Sequence, residues 1–300
     1  MEITAVIPTK NRPELLLNAV KSICSQDLRP NQVVIIDQSS GLSSKILVEE
    51  YLSNIAAESA KISLTYIHDP DIPGLVAAKA RSLQYINSDL VSFLDDDVEL
   101  PQSYFVNVLR FFNEYPESKG VCGIVLNQSH TGFLSMLCFN LFHFGRFRDE
   151  RRRASLFKSR TIIKSRNISG GISTYKRSVF ENVQFIEAHQ LFAYEDIEFS
   201  WRVNEYYGFG STFIDTGIKI VHLCSDVNRA DLQTIWERKI FELKTLHRLR
   251  KKDVFSDWVF CWLLFGQFIY VVCTSFRNKT IRPFVGAIKG LSKDKGLHRS

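Results

Sequence analysis

Paired cysteines are missing from this 300-residue chain: its six cysteines are scattered, and none stands in a CxxC pair. That argues against a structural zinc site and against a secreted disulfide framework. No signal-type segment precedes Glu2-Ile3-Thr4-Ala5-Val6-Ile7, which reads directly as a strand, so a reducing cytosol is the expected compartment. No serine or cysteine lies in a recognisable triad context, so no covalent nucleophile is expected. Glycine is absent from Pro8-Thr9-Lys10-Asn11-Arg12 after that first strand, which disfavours the glycine-rich phosphate loop of a nucleotidyltransferase. Charge is absent from Trp258 to Phe276, a run of 19 positions.

Charge of one sign is also unevenly spread. Residues 1–120 hold 10 Lys/Arg against 16 Asp/Glu, and residues 121–300 hold 28 against 16, within an overall net charge of +6. An acidic front and a basic back suggest two jobs. The basic half suits nucleic acid, anionic lipid or a phosphorylated substrate. An apolar fraction of 45% is ordinary for a globular protein.

The densest chemistry is Asp95-Asp96-Asp97, directly after the apolar run Leu90-Val91-Ser92-Phe93-Leu94. Three adjacent carboxylates at a strand end repel one another, and desolvation worsens the repulsion unless a cation neutralises them. Oxygen ligands favour Mg²⁺ or Mn²⁺ over zinc, and such sites commonly combine one or two carboxylates with substrate phosphates. The alternative is an acidic turn before the helix that starts near Pro101.

The first 127 residues alternate strand and helix. Strands are expected at Ile3–Ile7, Gln32–Ile36, Ile62–Ile67, Leu90–Leu94 and Gly120–Leu126, all short, apolar and β-branched. Helical patterns fill Pro13–Ser25, Ser43–Ala57, Leu75–Ile86 and Gln102–Tyr115. This predicts a Rossmann-like α/β fold: a mostly parallel sheet with helices on both faces, and ligands beyond the carboxyl ends of the strands. Pro8–Arg12, Asp37–Gly41, His68–Gly74 and Asp95–Asp97 all follow strand ends.

The dense aromatic stretch Phe133–Phe144 is followed by the arginine-rich Arg146–Arg153. The pair reads either as a segment that docks on an anionic membrane or as a core helix with a solvated basic loop. Ile172–Tyr175, Ser211–Asp215 and Lys219–His222 read as strands; Lys176–Asn182, Ala193–Tyr206 and Arg229–Lys252 read as helices. The uncharged run 258–276 is long enough to span a bilayer. Gly266, Gln267, Thr274 and Ser275 dilute it, however, and both flanks are basic. An interfacial or re-entrant helix, a single span and a core helix all stay open.

Val6-Ile7-Pro8-Thr9-Lys10-Asn11-Arg12 resembles the opening motif of family 2 glycosyltransferases, which have the GT-A fold. The resemblance continues through Ile36–Ser40, Gly74–Arg81, Phe93–Asp97, Gly170-Gly171, Tyr194–Arg202 and Val221-His222, and covers roughly residues 3–225. It implies a catalytic domain over 1–225, with a nucleotide-binding half at 1–127 and an acceptor half at 128–225. A helical, membrane-associated segment would occupy 226–300. It further implies inverting transfer from a nucleotide diphosphate sugar, with Mn²⁺ or Mg²⁺ on the diphosphate. Nucleotidyl transfer and non-catalytic carbohydrate binding are the alternatives.

Residue by residue, the resemblance puts Pro8, Thr9, Arg12, Asp37, Arg81, Asp95 and Asp96 around the donor. Asp97 and His222 fall to the metal, Asp196 to the general base, and Gly170, Gly171 and Glu195 to the acceptor. Inversion needs a base to take the acceptor proton while the cation stabilises the departing diphosphate. Gln38 and Ser39 stand where many members carry an acid and a glycine, which leaves the base of the nucleotide open. The expected acceptor is a lipid-linked sugar or surface polysaccharide at the cytoplasmic face of a membrane. Nucleic acid is not an expected partner, and the oligomeric state is left open.

Overall fold

The computed structural model of the protein describes residues 1–55, 62–127, 133–154, 156–186, 191–192, 194–223, 230–250 and 257–293. The expected helix ends at Ala57, Ala193, Arg229 and Lys252, and Cys224, lie outside the described residues. The chain divides into two compact units. One comprises residues 1–130, 149–190 and 195–225, and the other 131–148, 191–194 and 226–300.

The first unit is built on one sheet. Its strands are β1 (Ile3–Thr9), β2 (Gln32–Asp37), β3 (Ser63–His68), β4 (Leu90–Leu94), β5 (Val98–Glu99), β6 (Gly120–Val125), β7 (Ile162–Lys164), β8 (Ile172–Lys176) and β9 (Thr212–His222). Their order is β3-β2-β1-β4-β8-β6-β9-β5, with β7 paired to β9 off that path. β1 to β4 are mutually parallel, as expected of strands buried on both faces; every residue of β1 and β4 is buried. Beyond them the sheet is mixed. β8 runs antiparallel between β4 and β6, and β9 runs parallel to β6 but antiparallel to β5 and β7.

Helices α1 (Pro13–Cys24), α2 (Ser43–Asn54), α3 (Leu75–Ser82) and α4 (Tyr104–Glu114) connect the strands. Pro13 occupies the first turn of α1, where its missing N–H costs nothing. Short helices α6 (Arg151–Ala154) and α7 (Val179–Asn182) and the longer α8 (Glu195–Tyr207) belong to the same unit. Where two strands were expected near Ser211 and His222, β9 runs unbroken through 11 residues. The irregularity falls instead on β6, whose register against β9 shifts between Cys122 and Ile124. Gly123 allows this, because a Cβ there would strike the carbonyl of Ile218. Behind β4 and β8, Phe93, Phe180, Phe185, Phe199 and Tyr175 form a continuous ring cluster, with Phe185 and Phe199 stacked at 4.4 Å. Such pairs add about 0.5–1.5 kcal/mol each beyond area burial.

The second unit is helical: α5 (Phe133–Phe142), α9 (Leu232–Arg250), α10 (Asp257–Arg277) and α11 (Arg282–Ser292). Trp236 and Ile240 of α9, Val271 of α10 and Ala287 of α11 form its core. Gly286 and Gly290 let α11 lie close on α9, since a Cβ at either would strike the carbonyl of Gln233 or Glu237. The aromatic stretch of α5 packs here, in the same unit as the C-terminal helices.

Candidate functional site

The carboxyl ends of β1, β2 and β4 lie side by side, with Thr9 opposite Asp37 and Val6 opposite Phe93. Pro8 sits in β1 past its last pairing with β4, where a missing N–H leaves no ladder bond unmade. Thr9 donates its hydroxyl to Asp96 at 2.7 Å, and Arg12 donates to the other oxygen of Asp96 at 3.0 Å. Arg12 also lies 3.8 Å from Asp97. Burial raises the Asp96 carboxyl above its ordinary value, against the pull of Thr9 and Arg12.

The loop between Thr9 and α1 is stitched to the end of β2. Asn11 adopts a left-handed backbone with φ 54°, tolerable for asparagine; its N–H donates to Ser39 Oγ at 2.7 Å. Its side-chain oxygen accepts from Ser40 N at 3.1 Å. Asp37 is fully buried; its oxygens accept from the Tyr66 hydroxyl at 2.6 Å and from Ser39 N at 2.9 Å. Burial, reinforced by Asp37, pushes the Tyr66 phenol well above its ordinary value. Gln38, one of the two departures from the family pattern, donates to the carbonyls of Ile72 and Gly74 at 2.7 and 3.1 Å. It thereby fixes the loop into α3.

His222 reaches the aspartate triplet through topology. The two-residue β5 follows the triplet at once and pairs antiparallel with the end of β9, Val98 opposite His222. Leu223 N donates to the Asp97 carbonyl at 2.8 Å. His222 Nε2 then lies 3.4 Å from an Asp97 oxygen and 3.8 Å from one of Asp95. Ligand atoms of Asp95, Asp97 and His222 all fall within 4.8 Å of one another. Two carboxylates and an imidazole on a half-buried rim suit a divalent cation. Asp95, expected on the donor sugar, therefore stands with the metal candidates. Asn127 clamps the histidine backbone: its amide donates to the His222 carbonyl at 2.7 Å, and its oxygen accepts from His222 N at 3.0 Å.

Gly170 and Gly171 touch both halves of the site. Asp95 N donates to the Gly171 carbonyl at 3.0 Å, and Gly170 N donates to Asp196 Oδ2 at 3.2 Å. Side chains would not fit. A Cβ at Gly171 would collide with the Asp95 carboxylate, and one at Gly170 with Glu195. Asp196 also accepts from Ile197 N at 2.8 Å and from Arg151 at 3.1 Å. A carboxylate offers about four lone-pair positions, so three donors leave one for a further hydrogen bond.

Two residues of this site were not foreseen. Arg151 lies in the arginine-rich run expected to face solvent or lipid. Instead it joins Asp196 to Asp149, which accepts from its Nε at 2.8 Å and another of its nitrogens at 2.9 Å. Burial opposes the Arg151 charge, but Asp149 and Asp196 outweigh it and hold the guanidinium charged. Lys79 is the second. It is buried, with Nζ 2.6 Å from Glu195 Oε1, 3.1 Å from the Gly170 carbonyl and 5.5 Å over the Phe93 ring. Burial raises the Glu195 carboxyl while Lys79 lowers it, and burial prevails. Glu195, expected at the acceptor, is thus engaged beneath Gly170.

The structure does not bring Arg81 into the cluster. It lies exposed on α3, donating to Gln84 at 2.9 Å. Lys79 and Arg81 are two residues apart, about 200° around a helix, so only one can face the sheet. Val76, Ala77, Ala78 and Ser82 mark the buried face, and Lys79 belongs to it. Glu198 and Arg202, four residues apart on α8, form an ion pair at 2.7 Å.

Known proteins resemble this chain in sequence and in fold. The O-antigen chain rhamnosyltransferase RfbN of Salmonella typhimurium is 25% identical over 193 residues, covering 64% of this chain and 58% of that protein. A Campylobacter jejuni protein, GalNAc(5)-diNAcBac-PP-undecaprenol beta-1,3-glucosyltransferase, is 28% identical over 122 residues, covering 40% of this chain and 38% of its own. The chain therefore spans less than two thirds of either relative's length. Among solved structures, the mannosyltransferase PcManGT from Pyrobaculum calidifontis in complex with GDP-Man and Mn²⁺ superposes with TM-score 0.62 at 14% identity, covering 98% of this chain and 76% of that one. S. aureus TarS 1-349 in complex with UDP-GlcNAc gives TM-score 0.55 at 14% identity, covering 97% and 80%. These likenesses establish the GT-A fold. Residues 4–184 match the sequence model of Glycosyl transferase family 2, and the chain belongs to that family.

Proposed function

We propose that the protein is an inverting glycosyltransferase that moves a sugar from a nucleotide diphosphate sugar to an acceptor hydroxyl. The observation that carries this reading is the Gly170-Gly171 dipeptide. One residue accepts from Asp95 N on the metal side, and its neighbour donates to Asp196. Adjacent Cα atoms are about 3.8 Å apart, so one short piece of backbone ties the candidate cation ligands to the candidate base. The family match favours glycosyl over nucleotidyl transfer.

Pro8, Thr9, Arg12 and Asp37 form the donor wall, with Thr9 and Arg12 holding Asp96 toward the sugar. Asp97 and His222, with Asp95, would hold the divalent cation. When bound, that ion neutralises charge on the diphosphate. Asp196, fixed by Gly170 N, Ile197 N and Arg151, takes the proton of the acceptor hydroxyl with its remaining lone pair. The acceptor oxygen bonds to the anomeric carbon from the face opposite the leaving group, and the bonding pair departs with the diphosphate. A side chain at Gly170 or Gly171 would strike Glu195 or Asp95, so only glycine lets this backbone join the two halves of the site.

The catalytic domain is assigned to residues 1–225 and the membrane-associated helices to 226–300. Relatives named for O-antigen and undecaprenol-linked sugars support a lipid-linked or polysaccharide acceptor, and the cytoplasmic membrane face is the proposed location. Asp196→Asn tests the assignment. Labelled sugar transfer from a nucleotide-sugar panel to lipid-linked oligosaccharide should fall by at least about a hundredfold, with donor affinity kept. Undiminished transfer would remove Asp196 as the base.

A further inference from the structure

Helix α10 has 21 apolar-rich residues and is long enough to cross a bilayer, about 30 Å. Its packing says how it meets one. The inward face carries Phe260, Leu263, Gly266, Gln267 and Val271. Gly266 abuts Phe142 of α5, the Trp262 indole donates to the Leu141 carbonyl at 2.8 Å, and Val271 joins Trp236 and Ile240 of α9. The middle of α10 is therefore level with a stretch of α9 that reads Glu237, Arg238, Lys239, with Arg238 exposed. A spanning α10 would carry those charges into hydrocarbon, which is costly for each of them.

The outward faces of α10 and α11 are apolar. Trp258, Phe265, Val272 and Phe276 recur at helical spacing along α10, and Phe276 is 81% exposed. Ile281, Phe284, Ile288 and Leu291 continue along α11, and Ile281 is 74% exposed. α11 cannot rotate to hide them, because Pro283, Gly286, Ala287 and Gly290 are seated on α9. At the α10–α11 turn, Val272, Phe276, Ile281 and Phe284 line an apolar groove of about 730 Å³ with Lys279 at its rim. From 258 to 293 the chain has five Lys/Arg and no acid. Arg277, Lys279, Arg282 and Lys289 are exposed around the apolar face.

We propose that the outward face of α10 and α11 is a monotopic docking surface for an anionic bilayer. The helices lie in the interface, Phe276 and Ile281 insert their side chains at the acyl boundary while Arg277 and Lys279 stay among the headgroups, and neither helix spans. A basic rim around an apolar helical face matches an anionic headgroup layer in charge and in depth. The proposal deepens the membrane part of the function above, but its readout needs no sugar transfer, so either can fail alone.

Flotation of the full chain with vesicles tests it. The expected result is binding to phosphatidylcholine vesicles containing about one third phosphatidylglycerol, weaker binding to phosphatidylcholine alone, and loss at high salt. Phe276→Glu with Ile281→Glu should lower partitioning by at least about tenfold. An unchanged melting temperature would confirm folding, and Lys279→Glu with Arg282→Glu supplies a second, purely electrostatic variant. Alkaline carbonate should strip the wild type. Carbonate resistance with α10 protected from protease would establish a span and overturn the proposal. So would vesicle binding indifferent to both variants, or a dimer that the variants dissolve without any lipid binding.

Discussion

Lys79 brings a charge into the protein interior and forms an ion pair there with Glu195 at 2.6 Å. Removing one member of a buried pair leaves the other uncompensated, which costs about 3–5 kcal/mol. Lys79→Met should lower urea-unfolding stability by that much, and adding Glu195→Gln should restore most of it. The deficit should depend on pH in a definite direction. Burial already raises the Glu195 carboxyl, and without Lys79 nothing opposes it. The folded variant then binds a proton that the unfolded chain releases near its ordinary value of about 4.3, so its deficit shrinks as pH falls from neutral toward that value. A deficit independent of pH would contradict the placement. Arg151 makes a second claim at this scale. Arg151→Gln keeps hydrogen bonding but loses the charge between Asp149 and Asp196. It should lower kcat by about ten- to a hundredfold with donor affinity unchanged, and Arg151→Lys should recover part of it. The two residues were illegible in sequence for different reasons. Lys79 and Arg81 are two basic residues of one short helical pattern, and only the buried face that the fold selects tells them apart. Arg151 was hidden inside a run of arginines whose individual directions composition does not reveal.

At the scale of elements, the metal-candidate cluster depends on the shortest strand in the sheet. β5 has two residues and carries no hydrophobic signature, yet its pairing with β9 sets His222 beside Asp97. The three-residue β7 was unreadable for the same reason. The long strands were legible because both faces are buried, which gives them continuous apolar runs. Helix α11 lies within the segment expected to be helical, but its bounds are not legible because Pro283, Gly286 and Gly290 weaken a helical reading, whereas tertiary packing on α9 makes use of those same small residues. Asn127 holds the β9 end through two hydrogen bonds to the His222 backbone. Asn127→Ala should therefore weaken Mn²⁺ binding about tenfold or more, as outer partners of metal ligands do, when followed by titration calorimetry. Unchanged affinity would mean that β5 pairing alone suffices.

For the whole molecule, the acidic front half and basic back half correspond to different physical tasks. Four of the 16 acids of the front half, Asp37 and Asp95 to Asp97, lie at strand ends where donor and cation are proposed to bind. The bases of the C-terminal helices surround an exposed apolar face. The motifs at strand ends were legible because the α/β fold fixes where strand ends converge. The aromatic stretch that now belongs with the C-terminal helices was not assignable, since an apolar helix does not name its partner in sequence.

The central claim is that Asp97, with Asp95 and His222, holds a cation through which a nucleotide diphosphate sugar binds. Thermal unfolding in the presence of GDP- and UDP-sugars, with Mn²⁺ or with chelator, tests it without knowledge of the acceptor. A matching donor at about a hundred times its dissociation constant should raise Tm by about 5 °C with Mn²⁺. Chelation or Asp97→Asn should remove most of that rise, and Asp196→Asn should keep it. A rise of equal size with and without Mn²⁺, or in Asp97→Asn, would contradict the account.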